Sequence, residues 1–180
     1  ANAYEHDKVF NETGLFIAGG AETTRTAIAH GLRAFVDHPD QWERLAAEPD
    51  LVPSAVDEVI RWVTPLNNFF RTAVEDSTIG DQAVAEDDRI ILLYPSANRD
   101  DRVFDEPEEF RIDRSPNPHV AFGFGPHFCM GANLARMEIR LMFEELLPRL
   151  QDIQLAGDVQ RVRSNFVNGI KAFPVSVVPG

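Results

Sequence analysis

The stretch of sequence that decides the fold runs Phe122-Gly123-Phe124-Gly125-Pro126-His127-Phe128-Cys129-Met130-Gly131. Its three glycines and Pro126 predict a tight turn, because glycine tolerates positive φ and proline fixes φ. Cys129 follows that turn, just ahead of a helix that the apolar spacing predicts over 131–147. Free backbone N–H groups and the helix dipole favour a thiolate at such a position. The pattern therefore predicts a turn that holds a sulfur at the amino end of a helix.

The residues alone leave two interpretations of this cysteine open. One is a buried, inert cysteine in a turn. The other is a nucleophile in a phosphate-binding loop, which needs an arginine six residues downstream. Here the nearest arginine, Arg136, is seven residues on, and His127 is not adjacent to Cys129. The spacing therefore disfavours the nucleophile.

A third interpretation rests on resemblance. The segment resembles the haem-binding loop of the cytochrome P450 family, Phe-x-x-Gly-x-(Arg/His)-x-Cys-x-Gly. Every fixed position of that pattern is filled, by Phe122, Gly125, His127, Cys129 and Gly131. With residue frequencies of a few per cent each, chance agreement is on the order of 10⁻⁷ per start position.

The resemblance implies a haem b cofactor whose iron takes the Cys129 thiolate as its metal ligand. A thiolate axial ligand pushes electron density towards the iron and favours O–O cleavage. It also implies that Phe122, Gly123 and Gly131 lie beside the cofactor and that His127 contacts a haem propionate. The alternative for His127 is a solvated loop histidine.

The first predicted element is a long helix over 8–36, stopped by Pro39. It contains four glycines, and each destabilises a helix by up to ~1 kcal/mol relative to alanine. Close packing of another group against the helix would explain why glycine is present there. Within it, the stretch 18–24 (Ala-Gly-Gly-Ala-Glu-Thr-Thr) resembles the family's distal motif, (Ala/Gly)-Gly-x-(Asp/Glu)-Thr-Thr. Without the family context, the same stretch could be a helix-packing notch.

The resemblance implies that Glu22 and Thr23 are the catalytic acid–alcohol pair that delivers protons during dioxygen activation. It also implies that Ala18 and Gly19 lie against the cofactor. On a helix, the Thr23 hydroxyl can bond back to the carbonyl of Gly19 and open a local groove for water.

Glu58 and Arg61 are spaced i, i+3 on a helix predicted over 53–63. Taken alone, they predict an exposed ion pair worth ~0.2–0.5 kcal/mol. The resemblance implies instead a buried structural pair, joined by an arginine from a Pro-Glu-Arg-Phe motif. The matching stretch 107–110 reads Pro-Glu-Glu-Phe, so the third partner is expected to be Arg111 or Arg114, with Arg114 favoured.

By the same resemblance, Arg71 is a propionate ligand on a strand. Five residues fall where the family lines its substrate pocket: Leu66, Asn67, Asn68, Phe69 and Val167. The alternative for these positions is ordinary strand and loop structure.

The whole pattern predicts a mainly α fold with a small β component. Beyond the elements already given, it predicts a helix over 40–47, strands over 69–74 and 89–94, an irregular meander over 98–122, and short strands with a hairpin over 155–178. This order resembles the carboxyl-terminal portion of the cytochrome P450 fold: long distal helix, Glu-x-x-Arg helix, meander, cysteine loop and following helix.

Composition excludes several other classes. The chain has 180 residues and a net charge of −12, so it is a poor general nucleic-acid binder. The longest uninterrupted aliphatic and aromatic run, Ile90–Tyr94, is too short to span a membrane. A single cysteine excludes an internal disulfide framework and fits a reducing compartment, so a cytoplasmic location is expected.

The function implied by the resemblance is a haem-thiolate monooxygenase. Such an enzyme inserts one oxygen atom from O₂ into a C–H bond of a small hydrophobic substrate. The implied electron source is NAD(P)H through a separate ferredoxin-type partner. Arg136 and Arg140 would form a basic patch for that partner, or else are solvated helix charges. Two rivals stay open: a peroxide-dependent relative, which the pair Glu22 and Thr23 disfavours, and a non-catalytic or inactive haem-binding fragment.

Three stretches, 61–65, 116–119 and 168–171, resemble actinobacterial enzymes that hydroxylate steroid side chains or methyl-branched lipids. Terpenes, fatty acids and secondary metabolites stay open as substrates. In the family the distal helix lies past the middle of the chain, yet here it begins near residue 8. Residues 1–180 are therefore expected to be the carboxyl-terminal part of a single domain whose amino-terminal part is absent. We expect these residues alone neither to hold haem tightly nor to turn over.

Overall fold

Three helices form the body of the molecule. The computed structural model describes residues 3–180, with side chains from residue 7 onward. The helices are α1 (Ala3–Asp37), α3 (Val52–Val63) and α5 (Ala132–Leu146), and they pack against one another. The prediction of a mainly α fold with a small β component is confirmed, and so is the long first helix.

The other elements are short. The helices are α2 (Pro39–Ala47), α4 (Tyr94–Ala97) and two 3₁₀ turns, Pro49–Leu51 and Gly125–His127. The strands are β1 (Asn68–Thr72), β2 (Ser77–Ile79), β3 (Gln82–Val84), β4 (Arg89–Leu93), β5 (Leu150–Leu155), β6 (Gln160–Arg161), β7 (Ile170–Ala172) and β8 (Val175–Pro179). They pair antiparallel, two by two: β1 with β4, β2 with β3, β5 with β8 and β6 with β7. The tail is thus two strand pairs, and its first strand begins earlier than the predicted residue 155.

The core is centred on Phe35, near the end of α1. Its ring makes edge-on contacts with Trp42, Phe110 and Phe143, with centroid distances of 5.3, 5.3 and 5.4 Å. These partners come from α2, the meander and α5. Such pairs add about 0.5–1.5 kcal/mol each beyond their buried area. One aromatic ring therefore joins α1 to the segments that carry the rest of the molecule.

Gly31 is the glycine of α1 that helix packing requires. A Cβ at this position would lie 2.7 Å from Cγ1 of Val59 on α3 and 3.2 Å from Cζ of Phe143 on α5. The three helices therefore approach more closely here than a side chain would allow. Gly14, Gly19 and Gly20 differ, because a Cβ there would meet nothing within 4 Å.

The amino-terminal half of α1 presents large apolar side chains to solvent. Between 61% and 79% of the surface of each is exposed: Val9, Phe10, Leu15, Phe16 and Ile17. Among the residues that the structure describes, no helix combines the length and the apolar character that a membrane crossing requires.

Candidate active site

The cysteine loop is shaped by two glycines with positive φ, Gly123 at +69° and Gly125 at +67°. Residues with a side chain rarely adopt a positive φ, so glycine is required at both positions. A 3₁₀ turn follows over Gly125–His127, and the N–H of Cys129 donates to the carbonyl of Phe122 across 2.9 Å. The thiol of Cys129 is free and exposed within the residues that the structure describes.

The sulfur lies at the amino end of α5. Gly131 is the N-cap of this helix and supplies no capping side chain. A Cβ built on Gly131 would come 3.9 Å from the Cys129 sulfur, which shows how closely the start of the helix passes the thiol. The helix dipole there favours the anionic form of a nearby ligand.

At the start of the loop, the ring of Phe122 contacts charged and aromatic neighbours. The Arg136 guanidinium lies 4.7 Å from the ring centroid, and the His119 ring lies 5.8 Å away. Both side chains also reach one carboxylate oxygen of Asp57, Arg136 at 2.7 Å and His119 at 3.3 Å. Burial raises the pKa of the Asp57 carboxyl, but the hydrogen bonds from His119 and Arg136 outweigh it, so the net pKa is lowered.

On α1, the Thr23 hydroxyl donates to the carbonyl of Gly19 across 2.6 Å. This is the back-bond that helical spacing predicts. Gly19 and Gly20 on the same stretch border open space, so they are not consumed by packing within the described residues.

Glu22 is held by an arginine one turn along α1. Two nitrogens of Arg25 reach the two carboxylate oxygens, at 2.6 and 3.2 Å, and the same guanidinium approaches the carbonyl of Ile170 at 3.5 Å. This partner escaped the sequence analysis, although the i, i+3 spacing of opposite charges is a readable signal for it. The Glu22 carboxylate is therefore paired with Arg25 in this structure.

The predicted pocket residues come together where β1 begins. Leu66 forms a β-bridge with Val167. The side-chain amides of Asn67 and Asn68 both donate to the carbonyl of Asn165, at 3.4 and 2.8 Å. Two segments about a hundred residues apart thus form one wall, and its amide donors bind backbone rather than pointing at a ligand.

Phe69 extends this wall towards the cysteine loop. Its ring packs against Phe166 at 5.5 Å and against Tyr94 at 5.6 Å. The Tyr94 hydroxyl lies 3.3 Å from where a Cβ of Gly123 would be. The predicted pocket wall and the predicted metal-ligand loop are therefore contiguous through Tyr94.

The two predicted propionate ligands are available for an anion. Arg71 lies within β1 rather than at its start, and it donates to the carbonyl of Phe70 at 2.8 Å. His127 is exposed in the 3₁₀ turn. Among the described residues, neither side chain pairs with a carboxylate.

Glu58 and Arg61 form a bidentate ion pair in which both side chains are fully buried, at 2.8 Å for each hydrogen bond. Arg114 donates to the same carboxylate at 3.1 Å and Asn117 at 3.1 Å. Arg111 contributes its backbone N–H at 2.9 Å, while its side chain points to surface carboxylates. The third arginine is therefore Arg114.

Asn98, at the start of the meander, is fully buried. Its carbonyl accepts from Arg61 at 2.9 Å, its amide donates to Thr64 at 2.8 Å, and its side-chain oxygen accepts from the N–H of Val120 at 2.8 Å. It thereby ties the end of α3 to the segment that enters the cysteine loop. In the sequence it lies in a polar loop, where burial leaves no signal.

The predicted basic patch on α5 does not offer unpaired charge. Arg136 binds Asp57 at 2.7 Å, and Arg140 lies 3.5 Å from Glu144 one turn away. Each arginine therefore has its own counter-ion within the described residues.

Comparison with known proteins identifies the family. The profile of the Cytochrome P450 family matches residues 2–165, nearly the whole chain. The chain therefore belongs to the cytochrome P450 family, and this membership implies a haem cofactor.

Individual relatives agree with the family. The chain is 49% identical over 169 residues to a steroid C26-monooxygenase of Rhodococcus jostii, covering 91% of this chain and 36% of that protein. It is 42% identical over 165 residues to the linalool 8-monooxygenase of Pseudomonas putida, covering 92% of this chain and 41% of that protein.

Among solved structures, CYP109E1 from Bacillus megaterium in complex with corticosterone superposes with a TM-score of 0.89 at 33% identity. That match covers 94% of this chain and 46% of the other. The chain thus spans less than half the length of each of these three proteins.

The residues present fit a haem. The sulfur is exposed on a loop that two positive-φ glycines shape, and it lies at the dipole-positive end of α5. Gly19 and Gly20 leave open space beside α1. A haem-thiolate centre would use both features: a sulfur ligand for the iron and a helix surface without side-chain bulk.

Proposed function

We propose that this chain is the carboxyl-terminal part of a single-domain haem-thiolate monooxygenase. The enzyme inserts one oxygen atom from O₂ into a C–H bond of a hydrophobic substrate. The observation that carries the proposal is the exposed Cys129 thiol, held on a glycine-shaped loop at the start of α5 in a member of this family.

Haem b would be held by Cys129 as the iron ligand, with Phe122, Gly123 and Gly131 beside it. Arg71 and His127, which have no carboxylate partners among the described residues, would pair with the propionates. When bound, the cofactor supplies dioxygen activation, which a thiolate ligand favours by donating electron density.

Thr23 and Glu22 would manage protons beside the cofactor. The Thr23 proton points to the carbonyl of Gly19, so the lone pairs of Oγ1 are left to accept a hydrogen bond from a water. The Glu22 carboxylate would pass protons after exchanging Arg25 for water, because the guanidinium occupies both of its oxygens.

The wall around β1 favours an apolar substrate. Leu66, Phe69 and Val167 line it, and the neighbouring asparagine amides are spent on backbone carbonyls. We propose a steroid side chain or a methyl-branched lipid as substrate. The steroid C26-monooxygenase of R. jostii supports this class, whereas the linalool 8-monooxygenase of P. putida supports a terpene.

We propose NAD(P)H as electron source, through a ferredoxin-type partner, and a cytoplasmic location. The single cysteine supports the location, and the monooxygenase names of the relatives support the need for external electrons. We do not include Arg136 and Arg140 in the surface that binds this partner, because both are paired with carboxylates of this chain.

The test of the function uses the full-length protein that contains these residues, loaded with haem. Reduction under carbon monoxide should give the red-shifted Soret band of a thiolate ligand. Cys129→Ala should abolish the band, and Met130→Ala, a change at the exposed neighbour, should keep it. A histidine-type band in the unsubstituted protein, or a thiolate band in Cys129→Ala, would refute the assignment.

The 180 residues alone should hold haem weakly and show no turnover. Their Cys129 thiol and the apolar amino-terminal half of α1 are both exposed, so little protein surface encloses a cofactor. Stoichiometric haem retention through gel filtration would overturn this part of the proposal.

A further inference from the structure

Phe122 contacts the cysteine loop through both its backbone and its ring. Its carbonyl accepts the N–H of Cys129 at 2.9 Å, and its ring lies 6.3 Å from the ring of Phe128. A shift of Phe122 therefore moves the backbone that presents the sulfur.

The ring of Phe122 is itself held from two directions. Arg136, on α5, places its guanidinium 4.7 Å from the ring centroid, a cation–π distance. His119, at the end of the meander, packs its ring at 5.8 Å and has a nearly fully buried side chain.

One carboxylate joins these two contacts. Oδ1 of Asp57 on α3 accepts from Arg136 at 2.7 Å and binds Nε2 of His119 at 3.3 Å. Asp57 is half-buried, so the two interactions are screened less than a surface pair would be. The side chain of Asp57 therefore connects α3 to the two residues that contact Phe122, Arg136 on α5 and His119 in the meander.

We propose that Asp57 is a positioning residue for the cysteine loop. It holds Arg136 and His119 against Phe122, and Phe122 in turn fixes the backbone of Cys129. The proposal rests on the proposed function in that Cys129 is the haem ligand. It explains why Arg136, on a helix surface, is turned inward rather than offered to a partner.

The first test needs no haem. In Asp57→Ala, the amide of Cys129 should exchange with deuterium at least about fivefold faster under native conditions, since its bond to Phe122 opens more often. Amides in the centre of α3 should keep their rates. Asp57→Glu, which retains the charge, should restore part of the protection.

A matched control exists at Asp113. Its carboxylate accepts from Arg44 at 2.8 Å, and the two aspartates have equal exposure, 35%. Asp113→Ala should leave the Cys129 amide unchanged. If it accelerates that amide as much as Asp57→Ala does, the effect is global and the proposal is wrong.

If Asp57→Ala does not fold, Arg136→Met carries the same test, because it removes the ion pair from the other side. An unchanged Cys129 amide in the folded variants overturns the proposal.

The second test uses the haem-loaded full-length protein. Asp57→Ala should keep the thiolate Soret band but shift the reduction potential of the iron, whereas Asp113→Ala should shift neither. A missing thiolate band in the unsubstituted protein would refute the function and leave the exchange result standing. An unshifted potential in Asp57→Ala would overturn the positioning role at the iron.

Discussion

Asp57 and Glu58 are adjacent on α3, yet they bind different parts of the molecule. Asp57 accepts from Arg136 of α5 at 2.7 Å, and Glu58 accepts from Arg114 of the meander at 3.1 Å. Consecutive residues on a helix point about 100° apart, so these two neighbouring side chains can bind partners on different sides of α3. A single helix therefore binds both the meander and α5, the helix that follows the cysteine loop.

Glu58→Gln should destabilise the fold strongly. It leaves the buried guanidinium of Arg61 and that of Arg114 without a counter-charge, which costs about 3–5 kcal/mol. Urea denaturation followed by tryptophan fluorescence measures the change. Glu22→Gln, which breaks the exposed pair with Arg25, should cost within about 1 kcal/mol. Equal losses in the two variants would contradict the buried-network interpretation.

The two candidate third arginines can be separated by the same measurement. Arg114→Ala should cost about 3 kcal/mol or more, since its guanidinium binds Glu58 and three meander carbonyls from a buried position. Arg111→Ala should cost about 1 kcal/mol or less, because its side chain binds only surface carboxylates and its backbone N–H is retained. The reverse order would assign the third arm to Arg111.

Gly31→Ala should destabilise the protein by about 1–3 kcal/mol despite the helix propensity of alanine. The added methyl would lie 2.7 Å from Val59 and force α1 away from α3. Gly14→Ala, on the same helix and in open space, should stabilise by up to about 1 kcal/mol. Thermal unfolding of both variants checks the contrast, and a stabilised Gly31→Ala would refute the close packing.

Stability should fall in mild acid because of His30. Burial, together with the nearby positive charge of Arg161, lowers the pKa of this imidazole to about 4. The unfolded chain, with a pKa near 6.5, therefore binds the proton more tightly. The contribution of neutral His30 to the free energy of unfolding is therefore complete above pH 6.5 and is lost as the pH falls towards 4. Between pH 7 and 4.5 it amounts to about 2–3 kcal/mol.

His30→Gln should lose correspondingly less stability over that interval than the unsubstituted chain, as measured by urea midpoints at both values. His127→Gln provides the comparison, because it removes an exposed imidazole from the 3₁₀ turn. A His30→Gln variant with the full acid sensitivity would remove His30 as its cause.

Thr23→Ala should keep haem in the full-length protein but divert electrons to hydrogen peroxide. The variant lacks the oxygen that we propose accepts a hydrogen bond from a water beside Gly19, so we expect proton delivery to be impaired. Product and peroxide formed per NAD(P)H give the measurement. Thr13→Ala is matched to it, because Thr13 makes the same back-bond to Val9 on the same helix, at 2.7 Å. Unchanged coupling in Thr23→Ala would remove its proposed role.

Local chemistry determined much of this protein from the sequence by itself. Gly123 and Gly125 predict the turn before Cys129 because few other residues adopt positive φ. Helical spacing alone predicts that Thr23 reaches the carbonyl of Gly19 and that Glu58 lies beside Arg61. These features depend on neighbours within one turn, where the backbone geometry is known in advance.

Only the tertiary structure decided which distant partners meet. The side chain that completes the Glu58 network is that of Arg114 and not that of Arg111, because the path of the meander places Arg114 beside Glu58. The meander is irregular, so no sequence periodicity predicts that path. Asp57 and Arg136 are 79 residues apart, and their contact follows from how α3 packs against α5. Charged residues such as Glu58 and Arg114 usually lie on the surface, and here they hold segments together because they are buried. Burial depends on the folded chain and cannot be inferred from residue type.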